Sequence, residues 1–168
     1  MRALAVTGVL LLVGTAAVAQ QAAPATPAAT PGMTQAADHR IVMPQTIQWT
    51  TAPPSVPRGV QISVLYGDPT KAEPFAMRLR FPANTTLAPH THPVTEMVTV
   101  ISGTFRLGTG QTADRNKVQD LPAGSFFAFA PGMAHFAYTD VETIVQVSTT
   151  GPWALNYVNP NDDPSRAR

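Results

Sequence analysis

The sequence predicts an all-β fold, a sandwich or jelly-roll β-barrel of antiparallel strands. Three observations lead there. Short apolar runs with a period of two recur from residue 59 onward, turn residues separate them at short intervals, and no helical period interrupts them. Many short strands at this spacing bury their apolar faces against one another, in a sandwich or a closed barrel.

Taken in order, residues 1–19 read as a signal peptide. Arg2 gives a short positive start, Ala3 to Val13 an apolar run too short to span a bilayer, and Ala17-Val18-Ala19 the small residues at which a signal peptidase cuts. Cleavage there predicts an exported protein, periplasmic or secreted, with no membrane attachment after processing. Residues 20–38, rich in Ala, Pro, Thr and Gln, lack the large side chains that offset ordering entropy and read as a disordered linker. A single domain over 39–168 follows, with its barrel core at about residues 58–158.

Within that core, Val60, Ile62, Val64 and Tyr66 alternate with Gln61, Ser63 and Leu65 until Gly67-Asp68-Pro69 stops the run. Phe75, Met77, Leu79 and Phe81 alternate with Ala76, Arg78 and Arg80 in a second strand. Residues 97–101 and 104–107, joined at Ser102-Gly103, predict a hairpin. After a polar loop, further strands are predicted at 118–121, 125–129, 134–138, 142–148 and 154–158.

Composition narrows the function classes. Only 12% of the 168 residues are charged, with 11 Lys and Arg against 10 Asp and Glu, so no basic stripe exists for nucleic acid. Cysteine is absent, which removes disulfides, thiolate zinc sites and iron–sulfur clusters; any metal must be held by nitrogen and oxygen.

The stretch 87–103, LAPHTHPVTEMVTVISG, carries the chemistry. His90 and His92, two apart on a strand, share a face. Pro93 bends the chain, and Glu96 opens the next strand with Val98 and Val100 on its own face. A His-x-His pair alone is a weak signal; a glutamate at a fixed offset makes it specific. A second stretch, 122–139, has Gly124, a Pro131-Gly132 turn and then His135, whose parity is that of Ala137 and Thr139. Three imidazoles and a carboxylate suit a divalent manganese, iron, nickel, copper or zinc ion.

These two stretches resemble the paired motifs of the cupins, small β-barrel metalloproteins. His90, His92, Glu96 and Gly103 match the first motif in residue and spacing, with Asn84 in place of its leading glycine. Gly124, Gly132 and His135 match the second; Ala130 stands for its proline, with Pro131 one place later, and Thr139 for its asparagine. The resemblance implies a cupin-type jelly roll, one transition-metal ion on His90, His92, Glu96 and His135, and a small-molecule ligand or substrate. It also implies a metal-dependent enzyme of oxygenase, oxidase, isomerase or lyase type; the alternative is a non-catalytic module that binds or senses a small molecule or metal. No second carboxylate pairs with Glu96 and no serine sits in a nucleophile motif, so dyad and triad hydrolysis are disfavoured.

Inward parity nominates Met77, Leu79, Phe81, Val98, Val100 and Phe105 as cavity walls, with Met97, Phe127, Phe129 and Met133 close by. Tyr66, Tyr138, Tyr157 and Gln146 are the inward polar candidates. Trp153 and Tyr157 read as core or interface aromatics. Met97, Thr99 and Ile101 make the outer face of their strand apolar as well; with Ile47 and Trp49 as further cover, this predicts a homodimer.

Overall fold

The eight-residue run PFAMRLRF anchors the architecture. In the computed structural model, which describes residues 40–166, it forms β3 (Pro74–Phe81). Phe75, Met77, Leu79 and Phe81 are buried, and Ala76, Arg78 and Arg80 take the opposite face. Burying each of these large apolar side chains contributes about 1.5–3 kcal/mol. The described residues belong to one unit, His39–Arg168; the expected signal peptide and linker lie outside the described residues.

Ten further strands accompany β3: β1 (Thr50–Thr51), β2 (Gln61–Tyr66), β4 (Thr85–Thr91), β5 (Glu96–Ser102), β6 (Thr104–Thr109), β7 (Gln119–Pro122), β8 (Phe126–Phe129), β9 (His135–Thr139), β10 (Thr143–Thr150) and β11 (Asn156–Tyr157). The described helices are single 3-10 turns, at Pro44–Thr46, Pro160–Asp162 and Pro164–Arg166. Two antiparallel sheets result. A six-stranded sheet runs β1-β2-β3-β10-β5-β8, and a five-stranded sheet runs β11-β4-β9-β6-β7. The all-β jelly-roll expectation is met.

Register explains the core. Val145 and Val147 on β10 lie opposite Leu79 and Met77, and on the other side opposite Val100 and Val98. Directly paired residues share a face, so these six form one continuous apolar layer. Phe105 and Leu107 of β6 answer it from the other sheet, with Phe81 and Phe105 rings 5.7 Å apart.

Two expectations are corrected by pairing. β5 and β6 do not form a hairpin. Both edges of β5 are already taken, by β10 and β8, and β6 pairs instead with β7 and β9 in the other sheet. Gly103, at φ 75°, is the corner between sheets; a side chain there would run into the Glu142 carbonyl and Thr143. Tyr66 is not an inward polar group either. The β2–β3 register slips between Val64 and Tyr66, which puts Tyr66 opposite Ala76 on the outer face, 58% exposed.

The outer face of the six-stranded sheet is polar at its centre. Arg78 Nε donates to Gln146 Oε1 at 3.1 Å, and Arg80 Nη1 donates to Gln61 Oε1 at 3.0 Å. Trp49 covers Arg80, with the guanidinium 4.2 Å from the ring centroid.

Candidate metal centre

The site forms where β4 leaves one sheet and β5 enters the other. Along β4 and β9 the register steps from Leu87 opposite Ala137 to His90 opposite His135. That bulge spans Ala88 and Pro89 and resets parity, so Leu87 and His90 both turn inward despite their odd spacing. Asn84, at φ 61°, makes the left-handed turn that leads into β4. His92 follows the end of β4, and Glu96 begins β5 after the bend at Pro93. Gly132, at φ 78°, folds the β8–β9 turn back so that its N–H donates to the His92 carbonyl at 2.9 Å. The two motif stretches are thereby joined through their backbones.

All four side chains are buried: His90 1%, His92 3%, His135 3% and Glu96 6% exposed. One potential ligand atom from each histidine lies within 4.8 Å of those of the other two. Glu96 stands beside this group, with one carboxylate oxygen 3.2 Å from His92 Nε2 and the other 3.2 Å from His135 Nε2.

Hydrogen-bond accounting fixes what these rings offer. His90 Nδ1 lies 2.8 Å from the Ala88 carbonyl, His92 Nδ1 2.8 Å from that of Ala154, and His135 Nδ1 3.0 Å from that of Met133. A carbonyl only accepts, so each Nδ1 carries a proton, and Nε2 is the atom each ring can offer a cation. Burial, ahead of the other imidazoles, pushes the His90 pKa well below its ordinary value. Burial also lowers that of His92, against the opposing pull of Glu96. Although Glu96 is close, His92 Nε2 is buried with no hydrogen-bond partner. The three imidazoles and the Glu96 carboxylate therefore gather in one buried group, a nitrogen and oxygen donor set of the kind that can hold a divalent cation.

Aromatic rings fix the imidazoles. Trp153 stacks on His92 at 5.2 Å and 21°, Phe129 lies 4.8 Å from His135, and Tyr157 lies 6.1 Å from His90. Tyr157 itself is anchored, its hydroxyl donating to the Ser55 carbonyl at 2.8 Å, and burial raises its pKa.

An apolar cavity opens beside the histidines, with free volume of about 20 Å³, room for a water molecule or two. Of the wall residues expected from parity, Leu79, Phe81, Val98 and Phe105 line it. Met77 and Val100 do not; both lie deeper in the core. Phe127 lines it as well, whereas Met97 and Met133 are exposed. Tyr138 and Gln146, expected as inward polar groups, do not line it. Ala137 and Val145 take the inward positions on β9 and β10, so Tyr138 faces out under Arg115 and Gln146 faces out beside Arg78. Trp153 and Leu155 also line the cavity, and reading Trp153 as plain core or interface missed this. The alternation of Trp153, Leu155 and Tyr157 was the signal for it: three side chains on one face of a segment that β11 docks against β4.

Comparison with known proteins bears on the family and the fold. The profile of the ChrR Cupin-like domain matches residues 37–154. Germin-like protein 9-3 of Oryza sativa subsp. japonica is 38% identical over 61 residues, 36% of this chain and 28% of that protein. The chain thus spans little more than a quarter of that relative. Among solved structures, the polyketide cyclase RemF from Streptomyces resistomycificus superposes with a TM-score of 0.62 at 15% identity, covering 76% of this chain and 90% of that one. An acetylacetone dioxygenase from Acinetobacter johnsonii gives 0.57 at 16%, covering 77% and 84%. At those identities the likeness is one of fold.

Proposed function

The chain belongs to the ChrR cupin-like family, and on that premise we propose that it is a metal-dependent enzyme acting on a small organic substrate. His90, His92 and His135 would hold one divalent transition metal, with Glu96 as the fourth ligand. The observation that supports this reading is a group of three buried imidazoles whose ligand atoms lie within 4.8 Å of one another, His92 Nε2 among them without a hydrogen-bond partner.

Manganese, iron, nickel, copper and zinc all accept such a nitrogen and oxygen set. A metal held this way supplies Lewis acidity and an open coordination position. The chain's own residues do the rest. The Ala88, Met133 and Ala154 carbonyls hold the imidazoles in one tautomer. Leu79, Phe81 and Val98 exclude bulk water and sharpen the electrostatics. Apart from His90, His92, His135 and Glu96, the lining carries no acid–base side chain, so metal-centred oxygenase, oxidase, isomerase or lyase chemistry fits better than proton shuttling. The same apolar lining favours a second reading, a non-catalytic module that captures a small molecule or the metal itself.

Two further features belong to the proposal. The charged start and apolar run of residues 1–19 support export to the periplasm or beyond. Exposed Met97, Ile101 and Phe126 support a homodimer.

Elemental analysis of the purified protein tests the site. Close to stoichiometric metal is expected, with loss of most of it in His92→Ala and a marked reduction in Glu96→Gln. A metal-free protein whose thermal unfolding ignores added manganese, iron, nickel, copper and zinc would remove both readings. Oxygen-uptake and peroxide assays on the loaded protein then separate catalysis from capture.

A further inference from the structure

Trp153 has two faces to its chemistry, and the site described so far uses one. Its ring stacks on His92. Its Nε1–H is buried and has no hydrogen-bond partner. A buried donor left unpaired is costly, so a fold that keeps one has a use for it or a missing partner. The ring also lines the cavity, where the other walls are aliphatic or phenyl groups, the three imidazoles and Glu96. Nδ1 of each imidazole is committed to a carbonyl, so these rings have no Nδ1–H left for a ligand. Among the side chains that line the cavity, Trp153 carries the one N–H donor that is buried and left without a partner.

The backbone fixes this donor in place. Trp153 N–H donates to the Pro69 carbonyl at 2.8 Å, and the Gly151 N–H donates to that of Glu73 at 3.0 Å. On the far side, the Ala154 carbonyl holds His92 and the Val158 N–H bonds to the Pro89 carbonyl at 2.9 Å. The indole is therefore preorganised on the same segment that orients His92.

We propose that the Trp153 indole N–H is the hydrogen-bond donor to a small, acceptor-only ligand, an anion or neutral molecule of two or three heavy atoms, bound beside the histidine centre. This deepens the metal-site reading and rests on it. The free volume of about 20 Å³ beside the histidines suits a ligand of that size. The apolar walls disfavour ligands that bring donors of their own, because those donors would be left unpaired.

Azide is the probe, a three-atom anion with lone pairs at both ends. Titrated into cobalt(II)-loaded protein and followed by the visible absorption of the metal, it should bind. Trp153→Phe keeps a ring against His92 and removes the N–H. It should retain cobalt and weaken azide about tenfold or more, the scale of a lost hydrogen bond to a charged group. Equal azide affinity in the two proteins overturns the proposal, as does cobalt-loaded wild type that binds no azide. Failure of wild type to take up cobalt sinks the metal-site reading instead, so the two failures are distinct. If Trp153→Phe itself loses metal, nitrogen-edited NMR of zinc-loaded wild type decides. The Trp153 indole proton, separated from that of Trp49 by a Trp49→Phe variant, should move downfield on adding azide, and an unmoved resonance counts against the proposal.

Discussion

His90 shows how a single residue ties the proposed metal site to stability. It is 1% exposed, donates through Nδ1 to the Ala88 carbonyl, and has its pKa pushed well below the ordinary value of 6.5. Well above that value neither the folded nor the unfolded chain protonates the ring, and stability is at its full level. Below it the unfolded chain takes up a proton that the fold refuses, so stability falls as pH falls, by up to about 1.4 kcal/mol per pH unit for each such histidine. His92, also lowered by burial, adds in the same direction. The metal-free protein should therefore lose about 1–2 kcal/mol between roughly pH 7.5 and pH 5.5, read from urea midpoints, and His90→Gln should flatten part of that slope. Equal midpoints at the two pH values would mean that the rings are solvated and protonate freely.

Strands set what the sequence could and could not disclose. On β3 the alternation is unbroken, and every inward residue from Phe75 to Phe81 was legible as core. Legibility failed where a strand changes register. The slip before Tyr66 turned a predicted inward side chain outward, and the bulge at Ala88-Pro89 turned His90 inward where strict alternation from Leu87 would not. His90, His92, Glu96 and His135 could still be grouped in advance, because residue type and spacing identify them without any register. Tyr138 and Gln146 had no motif to place them, and Tyr138 falls on the face opposite the one that His135 and Ala137 share by parity. The pairing of β6 with β9 offers a test at this scale. Gly108 lies opposite Phe136, and a methyl on Gly108 would overlap that ring. Gly108→Ala should destabilise the protein by about 1–3 kcal/mol through overpacking, and Phe136→Leu in the same chain should recover part of the loss. A neutral Gly108→Ala would show that the outer face of this sheet is loosely packed.

Across the whole molecule, the centre and the β5–β8 edge of the six-stranded sheet's outer face differ in what they can join. The six-stranded sheet carries Arg78, Arg80 and Gln146 at its centre and exposed Met97, Ile101 and Phe126 toward the β5–β8 edge. A two-fold interface brings each patch against its own copy or a neighbour of it. An axis through β3 would set guanidinium against guanidinium, whereas an axis near β5 and β8 joins apolar to apolar and keeps the arginines apart. The homodimer is therefore expected to form through β5 and β8, with Thr99 and Phe126, a directly paired couple, near its centre. A stable pair needs about 800 Å² from each partner, so the patch must recruit flanking polar surface as well. Sedimentation at micromolar concentration should find a dimer for the wild type and a monomer for Met97→Lys combined with Ile101→Lys. Because both side chains point away from the cavity, the double variant should keep its metal content. A wild type that sediments as a monomer refutes the dimer, and a double variant that stays dimeric moves the interface to another face.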